Sequence, residues 1–127
     1  MKLNHDCVRQ LLIDIEETMP AHGIITSNLF EEMTSYKMFG EEQFSYTLAK
    51  LKEADYITAR ETSADGVINI FLTIDSITWD GHKFLDTIKS DTVWIKTKDK
   101  VVNTVGSTSL QVIASLATKT ATNLLGL

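Results

Sequence analysis

The sequence predicts an α+β fold that is mainly helical, with one β-hairpin near the middle of the chain. Three observations carry this prediction. Apolar residues recur at helical spacing up to residue 55, and from Tyr56 onwards the period falls to two. Helical spacing then returns after residue 77 and continues towards the C-terminus. We therefore expect three helices, a hairpin and additional C-terminal helices, in that order.

The first two predicted helices are short and amphipathic. Asn4 is a suitable N-cap for a helix over residues 4–18, and Pro20, the only proline, ends it. Its apolar face comprises Val8, Leu11, Leu12, Ile15 and Met19. Ser27 or Asn28 is expected to cap a second helix. The buried face of that helix would consist of Leu29, Phe30 and Met33.

The third predicted helix spans residues 41–54. Glu41 and Glu42 place negative charge in its first turn, where it complements the helix dipole. Its apolar stripe consists of Phe44, Leu48 and Leu51. Its opposite, polar face consists of Gln43, Tyr46, Thr47, Lys50 and Glu53. The preceding segment, 35–40, is expected to be a loop whose large side chains pack inward.

The hairpin is predicted from alternating apolar residues and from a turn signal. Ile57 and Ala59 alternate on the first strand. The second strand alternates at Ile68, Ile70, Leu72 and Ile74. Residues 63–66 form the turn, because Asp-Gly readily adopts positive φ. Residues 23–26 are long enough for one further small strand, so two or three strands are expected.

Residues after the hairpin are expected to be helical. Thr78 can cap a helix that buries Phe84, Leu85 and Ile88. Ser90-Asp91 interrupts this helix or begins a new one, so one bent helix and two helices are both open over 78–105. Gly106-Ser107 breaks the pattern before a last helix over 109–125. We expect a first domain over residues 1–90 and a C-terminal helical extension over 91–127.

The last helix has an unusual composition that suggests assembly. From Gly106 to Leu127 its only charged residue is Lys119, and small residues dominate. A helix without a charged face is normally covered on more than one side. Closure against its own domain would do this, and so would an isologous homodimer. We expect a dimer, with an apolar stripe of Leu110, Ile113, Ala117, Ala121 and Leu124 as the candidate interface.

The single cysteine and the short apolar segments of the sequence exclude several classes of protein. The single cysteine, Cys7, excludes an internal disulfide and a cysteine-based zinc cluster within one chain. The N-terminal residues lack the apolar core of a signal peptide, and there is no run of eighteen apolar residues. We therefore expect a cytoplasmic protein that does not span a membrane.

No catalytic pattern is present in the sequence. The histidines His5, His22 and His82 lack metal-ligand spacing, and no nucleophile elbow or glycine-rich phosphate loop occurs. Asp80 and His82 lie close together, but a capped helix start explains them more simply than a metal does. Cys7 lies on the first helix, where a small core residue is the ordinary interpretation. We expect no enzyme, no metal and no cofactor.

The sequence resembles winged-helix proteins. The segments FSYTLAKLKEADYI and ITWDGHKFL are similar to the phrases "L.EAG.I" and "LT..G..FL" that flank the hairpin in winged-helix regulators. Asp55 stands where those proteins usually have glycine, although Asp also tolerates left-handed backbone. MKLNHDCVRQLL, ITWDGHKFLDTIKSDTVWIKTKDK and SLQVIASLATKTATNLLGL further resemble an uncharacterised winged-helix family of bacteria and their phages or prophages. The resemblance covers nearly the whole chain. It implies a winged helix-turn-helix with a β wing, and no particular site residues.

A winged helix suggests a regulator that binds double-stranded DNA. The 41–54 helix would lie in the major groove and the 60–66 wing beside the backbone. The candidate DNA contacts are Gln43, Ser45, Tyr46, Thr47, Lys50, Lys52 and Arg60.

The charge distribution favours an alternative. Residues 1–82 carry six basic and fourteen acidic side chains, whereas residues 83–127 carry six lysines and three aspartates. DNA-binding domains normally present a basic face over the element that reads the duplex. The alternative is therefore a protein-interaction module, for example a phage modulator of a host factor, whose acidic front meets a basic partner.

Overall fold

The computed structural model describes residues 1–21, 23–104 and 109–126, without the side chains of residues 67–69 and 102–104. It confirms a mixed α+β, mainly helical fold. The elements are α1 (His5–Thr18), β1 (Ile25–Thr26), a 3₁₀ helix (Ser27–Glu32), α2 (Thr34–Glu53), β2 (Ile57–Ala64), β3 (Val67–Ile77), α3 (Trp79–Ile88), α4 (Asp91–Thr104) and α5 (Leu110–Leu124). None of the described helices is both long enough and apolar enough to cross a membrane.

The chain divides into two compact units, Met1–His82 and Lys83–Leu127. This division falls inside α3, whereas the expected boundary at residue 90 falls in the connection between α3 and α4. The change of net charge seen in the sequence coincides with the division into units.

Helix α1 forms as the sequence predicts. The Asn4 side chain accepts a hydrogen bond from the Cys7 amide at 3.1 Å, which satisfies one of the unpaired N–H groups of the first turn. The helix buries Cys7, Val8, Leu11, Leu12, Asp14 and Ile15. This apolar face packs against α2.

The second predicted helix is a 3₁₀ helix, and the loop predicted over residues 35–40 is wrong. Residues 34–39 already belong to α2, which is interrupted only at Gly40, where φ is 84°. Phe30 and Tyr36 contact the Phe44 ring, with centroid distances of 5.3 and 5.2 Å. Met38, in contrast, is 64% exposed, because a helix turns one of its sides towards solvent.

The sheet has three antiparallel strands in the order β1-β3-β2. Asp65 and Gly66 form a two-residue turn between β2 and β3, with φ values of 50° and 78°. Positive φ at both central positions is the type I′ arrangement, which matches the twist of a hairpin. The predicted Asp-Gly turn is therefore confirmed.

The predicted alternation of β3 is wrong in its second half. Pairing slips by one residue at three places, each time leaving an extra residue on β3. One slip falls between the pairs Arg60–Thr73 and Glu61–Phe71 and skips Leu72. Phe71 and Ile74 are consequently both buried, whereas Leu72 is 47% exposed. A bulge shifts the two-residue period, and a strict alternation cannot anticipate that.

The end of α2 is closed by a Schellman motif. The Tyr56 amide donates to the Leu51 carbonyl at 2.9 Å, and the Asp55 amide donates to the Lys52 carbonyl at 3.0 Å. Asp55 adopts the left-handed conformation at the position that usually carries glycine, with φ of 60°. The Thr78 hydroxyl donates to the Asp55 carbonyl at 2.5 Å, so the end of β3 is tied to this motif.

Replacing Asp55 with glycine is expected to stabilise the protein by about 1 kcal/mol, because glycine adopts positive φ without steric cost. Urea denaturation followed by far-UV circular dichroism measures the change. Asp55→Ala is the matched control, and we expect it to be less stable than wild type. A glycine variant that unfolds at lower urea than wild type would contradict the prediction.

Residues 78–104 form two helices rather than one. Thr78 Oγ1 accepts from the Gly81 amide at 3.1 Å and caps α3, and Ser90 Oγ accepts from the Val93 amide at 3.4 Å and caps α4. Ser109 likewise caps α5. Helices α4 and α5 pack against each other in the second unit. The predicted break at Gly106-Ser107 lies outside the described residues.

Candidate functional site

The candidate surface lies where the C-terminal part of α2 meets β2. A shallow depression of about 360 Å³ is lined by Tyr46, Ala49, Lys50, Lys52, Glu53 and Glu61. We call this depression, together with the exposed charges of residues 41–53 and of the hairpin, the helix–hairpin surface. Four of the seven sequence-predicted DNA contacts belong to it: Tyr46, Lys50, Lys52 and Arg60.

Each cation of the helix–hairpin surface is ion-paired with a carboxylate. Lys50 Nζ lies 3.0 Å from Glu53 Oε2, one turn along α2. Lys52 Nζ lies 2.9 Å from Glu61 Oε1, which joins α2 to β2. These pairs are partly exposed, so each stabilises the fold by only about 0–1 kcal/mol. Their larger effect is to neutralise positive charge where a phosphate contact was predicted.

The single cation of the hairpin is paired as well. Arg60 Nε lies 3.3 Å from Asp75 Oδ2 across β2 and β3. Asp75 is the residue that one of the register slips leaves unpaired in the β-ladder. The bulge in β3 thus occurs at Asp75, the carboxylate that pairs with Arg60. Sequence spacing alone did not indicate this ion pair.

The net charge of the helix–hairpin surface is negative. Residues 41–53 and 57–77 carry three cations and six carboxylates. Among the described residues, no ion pair joins Glu41, Glu42 or Asp65 to a cation. All three are exposed. An approaching anion therefore meets paired lysines and unpaired carboxylates.

Lys50 is held in place by two neighbours. Its hydrogen bond to Glu53 raises the pKa of the Lys50 ammonium group above its ordinary value. The same nitrogen lies 5.5 Å from the centroid of the Tyr46 ring, within the range of a cation–π interaction. The Tyr46 ring and the Glu53 carboxylate together form a binding site for a cationic group.

Two of the predicted DNA contacts do not lie free on this surface. Thr47 is fully buried, and its hydroxyl donates to Cys7 Sγ at 3.3 Å. The Gln43 amide donates to the Lys2 carbonyl at 3.5 Å and to Thr47 Oγ1 at 3.4 Å. Thr47 cannot reach a ligand, which corrects the prediction for that residue. Ser45, the remaining candidate, is half-buried.

Cys7 carries a buried free thiol. It is buried in α1, and burial raises the pKa of its thiol above the ordinary value. A thiol with a raised pKa is a poor nucleophile at neutral pH. Among the described residues, no group of three or more His, Cys, Asp or Glu side chains is placed to hold a metal ion. His22 lies outside the described residues.

The candidate dimer residues of α5 divide into two groups. Leu110, Ile113 and Ala117 are buried within a single chain. Ala121 is half-buried, and Leu124 is 44% exposed. The three buried residues are covered without a second copy. Ala121 and Leu124 remain accessible to a second copy, and so does the outer face of α5 at Val112, Ser115 and Lys119.

Comparison with known proteins places the chain in a family. A family model described as "Hypothetical protein (DUF2513)" matches residues 2–108. A relative from Haemophilus influenzae, named "Uncharacterized protein", is 30% identical over 117 residues, which cover 92% of this chain and 92% of the relative. No solved structure matches the chain. Because the family model covers most of the sequence, this chain belongs to the DUF2513 family.

Proposed function

We propose that this chain is a non-enzymatic winged-helix domain that binds a basic surface of a partner protein through its helix–hairpin surface. The observation that carries the proposal is the pairing of Lys50, Lys52 and Arg60 with carboxylates, which leaves the surface negative. Charge complementarity accelerates encounter with a basic partner and disfavours acidic ones. The order of helix, Schellman closure, hairpin and capped helix supports the winged-helix assignment.

Phosphate binding at this surface would have to displace the carboxylates. Each phosphate contact of a DNA-binding protein uses a cationic side chain, which releases counterions condensed on the DNA. Here Glu53, Glu61 and Asp75 already occupy the cations, and Glu41 and Glu42 would repel the duplex. A DNA complex at this surface would therefore gain little of the electrostatic free energy that dominates ordinary duplex binding.

The proposal is tested by partner capture with charge-reversed variants. Immobilised chain should retain one dominant basic protein from a lysate of its host cell, and added salt should release it. Glu41→Lys combined with Glu42→Lys should reduce retention by about tenfold, because it reverses charge on the surface. Glu31→Lys combined with Glu32→Lys makes the same change on the 3₁₀ helix and should have a smaller effect. Equal loss in both double variants, or no retained protein at any salt concentration, would contradict the proposal.

A second candidate function is a DNA-binding regulator of phage or prophage type. It is favoured by the half-exposed Ser45 and Tyr46 on the helix that precedes the hairpin. For this function, Lys50→Glu or Arg60→Glu should weaken duplex binding, and salt should weaken the wild type steeply. A gel-shift assay at low salt decides between the two functions. Micromolar protein that retains no DNA would remove the second candidate.

We propose further that any homodimer pairs the outer face of α5 and not the buried part of its predicted stripe, Leu110, Ile113 and Ala117. Val112 is 42% exposed, and the face carries Lys119 as the only charge of the helix. Thr118 and Thr122 donate their hydroxyls to the carbonyls four residues earlier, at 3.0 and 2.8 Å, so their polar atoms are already satisfied. A face whose hydroxyl groups are already hydrogen-bonded within the helix can pack closely against another helix. A cytoplasmic location accords with these proposals and stays a prediction.

A further inference from the structure

The depression between α2 and β2 contains the groups that recognise a cationic side chain. It combines an aromatic ring, Tyr46, with two carboxylates, Glu53 and Glu61. At present the chain's own lysines take the cation's place, with Lys50 beside Tyr46 and Glu53 and Lys52 beside Glu61. The carboxylates of the depression are thus already paired with lysines of the same chain, through weak interactions that a ligand can replace.

We propose that this depression is the docking site for an arginine side chain of the partner protein, which displaces Lys50 and Lys52 from their carboxylates. The inference rests on the proposed function and names its anchoring contact. The guanidinium would lie over the Tyr46 ring and pair with Glu53 and Glu61.

Arginine fits the site better than lysine does. Its guanidinium is planar, stacks on aromatic rings and forms two parallel hydrogen bonds to one carboxylate. Lys50 and Lys52 each make a single close contact with a carboxylate oxygen. Guanidinium is also more weakly hydrated than ammonium, so it loses less on entering a partly apolar depression. Aromatic and arginine residues are the groups that most often anchor protein interfaces.

The displacement is energetically feasible because the resident pairs are exposed. The side chains of Lys50 and Lys52 are 36% and 35% exposed, and both can move into water without leaving a buried charge unpaired. Exposed ion pairs contribute little to stability, so their loss offsets only a small part of a new bidentate pair. The unpaired Glu41 and Glu42, on the same helix, keep the local field attractive to the incoming cation.

This mechanism predicts an unusual sign for the lysine variants. If the resident lysines compete with the ligand, Lys50→Gln and Lys52→Gln should each tighten binding of an arginine-rich ligand by about threefold. For a nucleic-acid ligand the same substitutions remove positive charge and should weaken binding. The direction of one measurement therefore separates the two ligand classes.

The test uses an oligo-arginine peptide and an oligo-lysine peptide of equal length, with binding to the full chain followed by fluorescence anisotropy. We expect the arginine peptide to bind more tightly. Glu53→Gln combined with Glu61→Gln should weaken it by about tenfold, and Tyr46→Leu should reduce the preference for arginine over lysine. Glu31→Gln combined with Glu32→Gln removes the same charge outside the depression and should change affinity much less. Circular dichroism confirms that each variant is folded.

Three results would overturn the site. One is weaker binding of the arginine peptide after Lys50→Gln, and another is equal weakening by the two glutamate double variants. The third is a wild-type chain that binds neither peptide and yet retains its lysate partner, which overturns the arginine site and leaves the proposed function standing. Loss of the lysate partner with persistent peptide binding would contradict the proposed function and not the chemistry of the depression.

Discussion

Gly81→Ala is expected to destabilise the protein by at least about 3 kcal/mol, although the substitution lies inside a helix. A Cβ atom at this position would lie 2.0 Å from the Tyr56 carbonyl oxygen and 2.8 Å from Ile77 Cγ2. The first neighbour is backbone, so no side-chain rotation relieves the clash. Helix α3 or the start of β2 would have to move.

The sign of this effect distinguishes packing from helix propensity. Alanine favours a helix interior over glycine by about 1 kcal/mol, so propensity alone predicts stabilisation by Gly81→Ala. Urea denaturation followed by circular dichroism measures the difference. Gly66→Ala is the control, because it has positive φ but no neighbour within 4 Å of the added atom, and it should lose only about 1 kcal/mol. A Gly81→Ala variant as stable as wild type would contradict the close contact seen here.

The contact at Gly81 also bears on the candidate site. The Tyr56 carbonyl that excludes a Cβ accepts a hydrogen bond from the Thr78 amide at 3.0 Å, and Tyr56 is the last residue of the Schellman motif that ends α2. This junction fixes where β2 leaves α2, and the depression lies between these two elements. We therefore expect any folded fraction of the Gly81→Ala variant to bind the arginine peptide less tightly than wild type.

Local signals explain which parts of the fold could be predicted from the sequence. The starts of α1, α3 and α5 and the hairpin turn were predictable, because each depends on a local residue: Asn4, Thr78 and Ser109 cap the helices, and Asp65-Gly66 adopts positive φ. The glycine at position 81 was visible only as part of a phrase shared with winged-helix proteins. Its physical reason, contact with a carbonyl 25 positions earlier in the chain, needs the tertiary structure.

For Thr47, the residue type suggested the wrong face of the helix, whereas its spacing from Phe44 and Leu51 indicated the right one. It lies three residues after Phe44 and four before Leu51, so helical geometry alone places it on the apolar stripe. Its hydroxyl suggested the polar face instead. In the structure Thr47 is buried on the apolar face of α2. Its hydroxyl group is hydrogen-bonded to Cys7 Sγ, so its polar atom has a partner. Position in the helical repeat was the better guide.

Two of the three ion pairs of the site could not be predicted from the sequence, for a different reason. The Lys50–Glu53 pair has helical spacing and could have been anticipated. Lys52–Glu61 depends on the angle at which β2 leaves α2, and Arg60–Asp75 depends on a bulge in β3. Sequence counting gave the excess of carboxylates. Only the structure pairs each cation with its neutralising partner.

Asp14→Ala is expected to destabilise the protein by about 2–3 kcal/mol, because Asp14 caps a helix other than its own. Met33, the N-cap residue of α2, offers no side-chain hydrogen bond to the first turn. Asp14 of α1 supplies one instead, with Oδ2 accepting from the Ser35 amide at 2.7 Å. Its other oxygen accepts from Gln10 Nε2 at 2.9 Å. The carboxylate is only 5% exposed, so its removal leaves a buried N–H group without a partner.

Two further variants separate the contributions of the Asp14 charge and of its two hydrogen bonds to this loss of stability. Asp14→Asn keeps one acceptor oxygen and loses the charge that complements the helix dipole, so we expect it to lose about half as much stability as Asp14→Ala. Gln10→Ala removes the partner on α1 and should change stability by less than about 1 kcal/mol, since the Ser35 contact persists. Urea denaturation of all three variants decides the matter. If Gln10→Ala and Asp14→Ala are equally destabilising, the contact within α1, and not the cap on α2, is the source of the stability. If Asp14→Ala loses less than about 0.5 kcal/mol, water reaches the Ser35 amide and the helix start does not depend on α1.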